Sequence, residues 1–206
     1  MATSATPYGL RPVNLIGSQP FAGATRQIKI ASGYAANIYN GSVVKIVAAG
    51  TIELVLDLGD NSDPFVAGTI GVFVGCSYTD ADGVFRQRNY WPTGTVAADA
   101  MAYVVDDPDT LFMAQFDGAA VQADLGANCH FAAVQSTSTG STVTGISNTA
   151  LSAANIATTD GDCFRIVDFV RNPAGANGGS AIGDAYTDVL IKFNSVAHSY
   201  LNPTGI

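Results

Sequence analysis

Histidines are the first residues to test for chemistry, since general acid–base and nucleophilic catalysis usually recruit that side chain. His130 follows Cys129 directly, but a cysteine and a histidine adjacent in sequence do not make a catalytic dyad, because the fold must bring such partners together. His198, in the C-terminal tail, is expected at the surface or at an interface. Neither histidine is predicted to be a catalytic residue.

The three cysteines, Cys76, Cys129 and Cys163, are an odd number at wide spacing and include no CxxC pair. This pattern fits neither a zinc site nor a redox pair. We therefore predict reduced, buried thiols that pack as small hydrophobic side chains.

Carboxylates cluster in two turns. Residues 80–83 (Asp-Ala-Asp-Gly) resemble the opening of a calcium loop, but the third acidic position and the later bidentate glutamate are missing, so a hairpin turn is favoured. Asp106, Asp107 and Asp109 surround a proline. They could bind a cation weakly if another subunit contributed oxygens, or form a solvated turn capped by their own side chains. No metal site and no cofactor are predicted.

Other motifs of catalysis are missing from the sequence. The hydrolase elbow GxSxG, the P-loop and the dinucleotide fingerprint GxGxxG do not occur. The chain is therefore not predicted to be an enzyme, and a pocket of convergent Asp, His and Ser would be needed to support a hydrolytic alternative.

Tyr90, Trp91 and Pro92 form the densest aromatic group; it could be a sugar-binding platform or an aromatic strand end packed in the core or at an interface.

Ionic side chains are scarce. Charged residues make up 13% of the 206 residues, about half the roughly 25% typical of a soluble globular domain, while hydrophobic residues reach 48%. Interface cores are depleted in charge. A surface of Ser, Thr, Asn, Ala and Gly therefore indicates a subunit that neighbouring proteins partly cover.

The charge balance excludes some partners. Seventeen acidic and nine basic residues give a formal net charge of −8, and the basic residues are scattered, whereas binding to a phosphate backbone needs clustered cations. Residues 125–159 carry no ionic side chain, but polar residues interrupt the apolar ones too often for a membrane span. The N-terminus does not read as a secretory signal. Neither nucleic acid nor membrane is a predicted partner.

Short apolar or alternating runs, separated by turn residues, predict strands. They are residues 27–30, 43–47, 51–57, 69–78, 84–91, 101–105, 111–116, 163–170 and 187–193. The turns at residues 80–83 and 106–109 predict two hairpins. Residues 121–128 predict a two-turn helix, and residues 149–156 a weaker one. The pattern favours a mainly β fold, a β-sandwich or β-barrel body of short antiparallel strands.

The first 24 residues contain three prolines and three glycines among isolated apolar side chains. Proline removes a backbone donor and fixes φ, so residues 1–24 are predicted to form an extended N-terminal arm that docks on a surface; a disordered tail is the alternative. A β-rich body is predicted over residues 25–206, and it includes the neutral Ser/Thr/Ala-rich segment 125–159.

A family resemblance rests on a few stretches. Residues 8–13 (Tyr-Gly-Leu-Arg-Pro-Val), followed by residues 21–26 (Phe-Ala-Gly-Ala-Thr-Arg), resemble the start of the capsid cement, or decoration, proteins of tailed bacteriophages. Residues 71–78 and 103–108 look like two further signatures of that family. These motifs carry no catalytic residue.

The resemblance implies a virion structural protein that assembles in the host cytoplasm, binds the outer capsid surface and stabilises the shell by bridging major capsid protein subunits. It implies a homo-oligomer, with a trimer favoured over a dimer. An arm suits strand addition to a partner, and we expect partner contacts from Tyr8, Leu10, Arg11, Phe21 and Arg26. The alternative is a virion accessory protein, part of a head fibre or tail, that binds host glycans or a receptor through the aromatic group.

Overall fold

A computed structural model gives the fold for residues 5–17, 19–170 and 181–203. Within these residues the chain forms fourteen strands and one 3-10 helix, Gln122–Asp124. The strands are β1 (Arg11–Leu15), β2 (Gln19–Pro20), β3 (Arg26–Lys29), β4 (Ile38–Tyr39), β5 (Val43–Ile46), β6 (Ile52–Leu54), β7 (Thr69–Thr79), β8 (Phe85–Arg88), β9 (Tyr90–Trp91), β10 (Met101–Val105), β11 (Thr110–Gln115), β12 (Asn128–Cys129), β13 (Phe164–Phe169) and β14 (Asp188–Phe193). The predicted mainly β fold is confirmed.

Two larger antiparallel sheets organise the chain. Sheet A has the strand order β12-β13-β14-β11-β1-β2. Sheet B has the order β3-β10-β7-β5-β6, and β8 pairs with the C-terminal part of the long strand β7. A single bridge between Ile30 and Ile52 links the two ends of sheet B, so this sheet curls around its own interior. Strands β4 and β9 form a separate two-stranded ribbon.

Sheet B is apolar on both faces because it borders two cores. Side chains of adjacent residues in a strand point to opposite faces. One face contributes to the core that sheet B shares with sheet A (the A–B core), with Val43, Val72 and Val105. The other face lines the interior of sheet B (the B core), with Val44, Phe73 and Val104. This explains why the sequence of β7 is an almost continuous apolar run.

Sheet A closes the A–B core from the other side. Its strands alternate, and the inward positions include Phe112, Ile166, Val189, Ile191 and Phe193. A cluster of phenylalanine rings fills the centre, with ring centroids 5.1 Å apart between Phe164 and Phe193. Aromatic rings bury large apolar areas and dominate the energetics of such cores.

One of the two predicted hairpins is confirmed and the other is wrong. β7 and β8 pair as expected across residues 80–83. β10 and β11, in contrast, do not pair: β10 lies in sheet B between β3 and β7, and β11 lies in sheet A between β14 and β1. Because both edges of each strand are already occupied, residues 106–109 cross from one sheet to the other.

The two helix predictions are not confirmed by the structure. Of residues 121–128, the 3-10 helix retains only Gln122–Asp124. Residues 149–156 contain no helix; Leu151 instead bridges to Phe116 and Phe131. Both expectations rested on local propensity, which tertiary contacts override.

The extended N-terminal arm is not confirmed. Met1–Ser4 and Ser18 lie outside the described residues, but β1 is an inner strand of sheet A, paired with β11 on one side and β2 on the other. Leu10 is completely buried in the A–B core. Gly9, at a φ of +70°, allows this close approach, because a Cβ there would lie 2.6 Å from the carbonyl oxygen of Gly41.

The neutral segment, residues 125–159, lies across both sheets rather than forming a sheet of its own. Gln135 is fully buried and bonds to the backbone of β5. The carbonyl oxygen of Thr137 accepts a hydrogen bond from the hydroxyl of Tyr39 at 3.2 Å. Part of the charge depletion therefore has an internal cause, since uncharged polar groups can bond to buried backbone at a smaller desolvation cost than ions.

Candidate functional site

The predicted partner-binding residues fall into two surface clusters and the core. In the first cluster the hydroxyl of Tyr8 donates to Oδ1 of Asp188 at 3.0 Å, and the guanidinium carbon of Arg11 lies 4.4 Å from the centroid of the Tyr8 ring. Burial raises the pKa of Tyr8 and that of Asp188 above their ordinary values. The Arg11 side of this cluster remains exposed.

The second cluster surrounds Arg26. Its Nη2 lies 2.6 Å from Oδ2 of Asp106, and its guanidinium carbon lies 5.2 Å from the centroid of the Tyr200 ring. The hydroxyl of Tyr200 donates to Asp106 at 3.0 Å. About half of the Arg26 side chain remains exposed, at 48%, so it keeps surface for a partner.

Two of the five predicted partner-binding residues, Leu10 and Phe21, pack against the A–B core. The side chain of Leu10 has no exposed surface, so in this conformation it cannot contact a neighbour. Phe21 is partly buried against the A–B core. The arm motif thus includes residues that hold this chain together.

The acidic turn at residues 106–109 has partners within the chain. Asp106 pairs with Arg26, Asp109 accepts from Nζ of Lys192 at 2.7 Å, and Asp107 caps the backbone N–H of Asp109 at 2.8 Å. Two neighbouring cations therefore already compensate the carboxylates that the cation hypothesis required. In the described part of the chain no group of three His, Cys, Asp or Glu side chains is arranged to hold a metal ion.

The three cysteines are free and buried, as predicted. Burial raises the pKa of Cys76 and of Cys163 to about 12, and it also raises the pKa of Cys129. A thiol of high pKa is a poor nucleophile at neutral pH.

His198 is not at the surface, contrary to expectation. Its residue exposure is 1%, its ring meets that of Phe193 edge to face at 5.7 Å, and its Nδ1 accepts from the backbone N–H of Tyr200 at 3.3 Å. Its Nε2 is buried and has no hydrogen-bond partner among the residues that the structure describes. Burial lowers the pKa of this imidazole below its ordinary value.

We expect His198 to make the fold acid-sensitive. The unfolded chain takes up the proton near the ordinary histidine pKa of about 6.5, while the folded chain resists it. Stability should therefore be intact above pH 6.5 and fall as the pH drops below that value. His198→Phe should flatten this dependence between pH 7.5 and 5. Melting curves over this range would check it, and superimposable profiles for the two proteins would contradict it.

The three residues of the aromatic group differ in exposure: Trp91 is buried, whereas Tyr90 and Pro92 line a surface groove. Trp91 is fully buried in the B core, where it meets Tyr78 edge to face at 5.4 Å and donates from Nε1 to the carbonyl oxygen of Tyr34 at 3.4 Å. Tyr90 stacks on Tyr39 with centroids 5.8 Å apart. The packing interpretation therefore fits Trp91, which cannot stack on a sugar in this conformation.

One polar cleft, which the sequence did not predict, lies at the end of the A–B core. It has a volume of about 450 Å³ and brings Asp60, Ser62, His130 and Asp162 together. The loop that carries Asp60 is held in place by two backbone bonds, from Phe131 N to Leu58 O at 3.1 Å and from Cys163 N to Gly59 O at 2.8 Å. The sequence contains these acidic residues in two loops, but it does not show that the loops meet.

The two carboxylates of the cleft have different environments. Asp60 accepts hydrogen bonds from the hydroxyl of Ser62 at 2.8 Å and from the backbone N–H of Asp63 at 2.6 Å, and these bonds lower its pKa. Asp162 is buried, with 3% exposure, and burial raises its pKa; the nearby charge of Asp60 adds to that effect, whereas His130 opposes it.

The cleft brings Asp, His and Ser side chains together, as the hydrolytic alternative required. Their hydrogen bonds, however, are not those of a catalytic triad. Ser62 donates to a carboxylate rather than to an imidazole. Nδ1 of His130 lies 2.7 Å from the carbonyl oxygen of Phe131, not from an aspartate. In a catalytic triad the histidine accepts from the nucleophile and is oriented by a carboxylate. Among the described residues, neither of these bonds connects Ser62, His130 and the aspartates.

The β7–β8 hairpin presents the most exposed aromatic side chain of a strand. Within the described chain β8 pairs only with β7, and all four of its residues are exposed. Phe85 is 65% exposed, Val84, which precedes it, is 46% exposed, and Val96 is 73% exposed. A groove of about 510 Å³, which Arg86, Arg88 and Val96 help to line, runs along this edge.

Comparisons with family models, curated proteins and solved structures found no match. The single 3-10 helix is far too short to cross a bilayer, and no longer apolar helix occurs in the residues described.

Proposed function

We propose that the chain is a structural subunit of a tailed-bacteriophage virion that binds the outer capsid surface and stabilises the shell by bridging major capsid protein subunits. The proposal places it on the capsid exterior after assembly in the host cytoplasm, as a homo-oligomer for which a trimer is favoured. The motifs of residues 8–13, 71–78 and 103–108 suggest the family, and the exposed edge of β8 is the structural observation that supports it best.

An edge strand with free backbone groups is a template for pairing with another chain. Exposed apolar patches on soluble proteins mark interaction sites. Phe85 combines both features, because it lies on such an edge directly after the exposed Val84. Arg11 and Arg26, each partly exposed, are proposed as contacts with a partner outside the β8 edge.

The glycan-binding alternative has less support. It depended on the aromatic group at residues 90–92, and Trp91 has no exposed surface with which a sugar could stack.

Phe85→Ser should weaken capsid binding by about tenfold or more, the usual effect of losing a central aromatic contact, while stability changes by less than about 0.5 kcal/mol, as for other surface positions. The measurement is co-sedimentation of the purified protein with capsids that lack it. Sedimentation velocity of the free protein would report separately whether the same edge joins copies of the chain.

Val143→Ser is the matched control, since Val143 is 93% exposed in the turn at residues 141–145 rather than on strand β8, and this variant should bind like the unaltered protein. Equal capsid binding and equal self-association by the Phe85→Ser protein would remove β8 as the interface.

A further inference from the structure

The cleft at Asp60 and Asp162 is chemically unusual because its two carboxylates have no lysine or arginine beside them among the residues that line it. Its full lining comprises Asp60, Asn61, Ser62, His130, Ala154, Asn155, Ile156, Ala157, Thr159 and Asp162. Neither lysine nor arginine is among these residues. Buried carboxylates normally have a paired charge, and Asp162, with 3% exposure, has among the residues described only the imidazole of His130 and the backbone N–H of Asn61 to favour its charged form.

His130 provides the second observation. The residue is 8% exposed, and its Nδ1 lies 2.7 Å from the carbonyl oxygen of Phe131. Because a carbonyl oxygen only accepts, Nδ1 carries the proton, and in the neutral ring Nε2 presents a lone pair. Nε2 has no hydrogen-bond partner among the described residues. Unlike Nε2 of His198, it is not sealed in the interior, so it opens to the cleft that the ring lines.

The acceptors suit an organic cation better than a metal ion. A metal ion needs its ligands converged on one point, and in the part of the chain described here no three His, Cys, Asp or Glu side chains converge in that way. A guanidinium is planar and directs several N–H donors outward, which allows it to reach acceptors that lie apart. Ile156, Ala154 and Ala157 supply apolar surface for the methylene stem that accompanies such a head group.

We propose that this cleft binds the guanidinium group of an arginine side chain, with Asp60 and Asp162 as the charge partners and Nε2 of His130 as a further acceptor. Charge-assisted hydrogen bonds of this kind are stronger than neutral ones and match carboxylates in geometry. The site is separate from the β8 edge, so its failure would leave the proposed capsid interface intact, and failure of that interface would leave this site intact.

The test is a titration of the full ¹⁵N-labelled chain with N-acetyl-arginine amide, followed by amide chemical shifts. We expect saturable shifts confined to residues 59–63, 129–131 and 154–162, with a Kd on the order of 1 mM, as for a single small head group. N-acetyl-citrulline amide has nearly the same shape without the charge, and it should produce no saturable shift.

Asp60→Asn and Asp162→Asn should each weaken arginine amide binding about tenfold, the usual effect of losing one charged hydrogen-bond partner. Asp82→Asn removes the same charge from an exposed turn and should bind normally. Without ligand, the Asp162→Asn protein should also unfold at an equal or higher temperature than the unaltered protein, because the substitution removes a desolvated carboxylate. Such a result would show that the variant loses binding without losing its fold.

Three results would overturn the proposal. They are equal shifts with the arginine and citrulline amides, unchanged binding in the Asp60→Asn and Asp162→Asn proteins, and a stoichiometric shift of the same residues by Zn²⁺ at micromolar concentration. If arginine amide binds as expected, co-sedimentation of the Asp60→Asn and Asp162→Asn proteins with capsids decides the source of the guanidinium. Reduced capsid binding assigns it to a partner protein, and unchanged capsid binding assigns it to a free molecule.

Discussion

Gln135→Ala is expected to lower the free energy of unfolding by about 2 to 6 kcal/mol, since it leaves two buried backbone groups, Val43 N–H and Val55 C=O, without partners at about 1–3 kcal/mol each, while Val43 O still accepts from Val55 N. The Gln135 side chain has no exposed surface. Its Oε1 accepts from Val43 N at 2.9 Å, and its Nε2 donates to Val43 O at 3.3 Å and to Val55 O at 3.0 Å. Total stabilities are about 5–15 kcal/mol, so the variant should be near the limit of folding. Urea unfolding provides the measurement.

Two further substitutions separate hydrogen bonding from packing. Gln135→Glu conserves the volume but replaces the donor with an oxygen that faces two carbonyl groups, so we expect a loss at least as large. Gln87→Ala, on the exposed strand β8, removes the same side chain at the surface and should change stability by less than about 0.5 kcal/mol. Similar small losses for Gln135→Ala and Gln87→Ala would mean that the amide does not support β5.

Leu10→Ala is expected to cost about 2 to 5 kcal/mol, the range for leucine truncation in a packed core. The observation behind this expectation is that Leu10 is fully buried in the A–B core, next to the bond from its backbone N–H to Gly41 O at 2.9 Å. Thermal or urea unfolding measures the loss. Leu56→Ala is the matched control, because Leu56 is 55% exposed and should lose far less.

This substitution separates the two interpretations of the first 24 residues. If they formed an arm for a partner, Leu10→Ala would leave stability unchanged and reduce only capsid binding. If β1 belongs to the body, stability falls first. Deletion of residues 1–24 cannot make this distinction, because it would remove β1 and β2 and expose the edge of β11.

The strands were predictable from the sequence because their signal is local. Period-two alternation at residues 163–170 and 187–193 and the apolar run of β7 each follow from burial on one or both faces. The β7–β8 hairpin was predictable because a short Asp/Gly turn joins its strands. The pairing partner of each strand was not predictable. The turn at residues 106–109 is also rich in aspartate, yet it connects strands of two different sheets.

The candidate site was not predictable, and the reason is also physical. Asp60 and Asp162 lie about half the chain apart, and His130 follows a two-residue strand. No spacing rule connects them, because backbone bonds between loops, such as Cys163 N to Gly59 O, bring them together. The arm prediction is not confirmed for a related reason: prolines and glycines indicate that a segment is extended, but they do not indicate whether it packs on its own chain or on another.

The double-sided character of sheet B limits how this protein can evolve. A strand such as β7 must satisfy the A–B core with Val72 and the B core with Phe73, so it has no solvent-facing positions at which substitutions are harmless. Damage to one core also deforms the wall of the other, which makes the chain one cooperative unit. Over time we expect sequence drift to accumulate at the tip near Val143, which is 93% exposed, and the middle of β7 to change least.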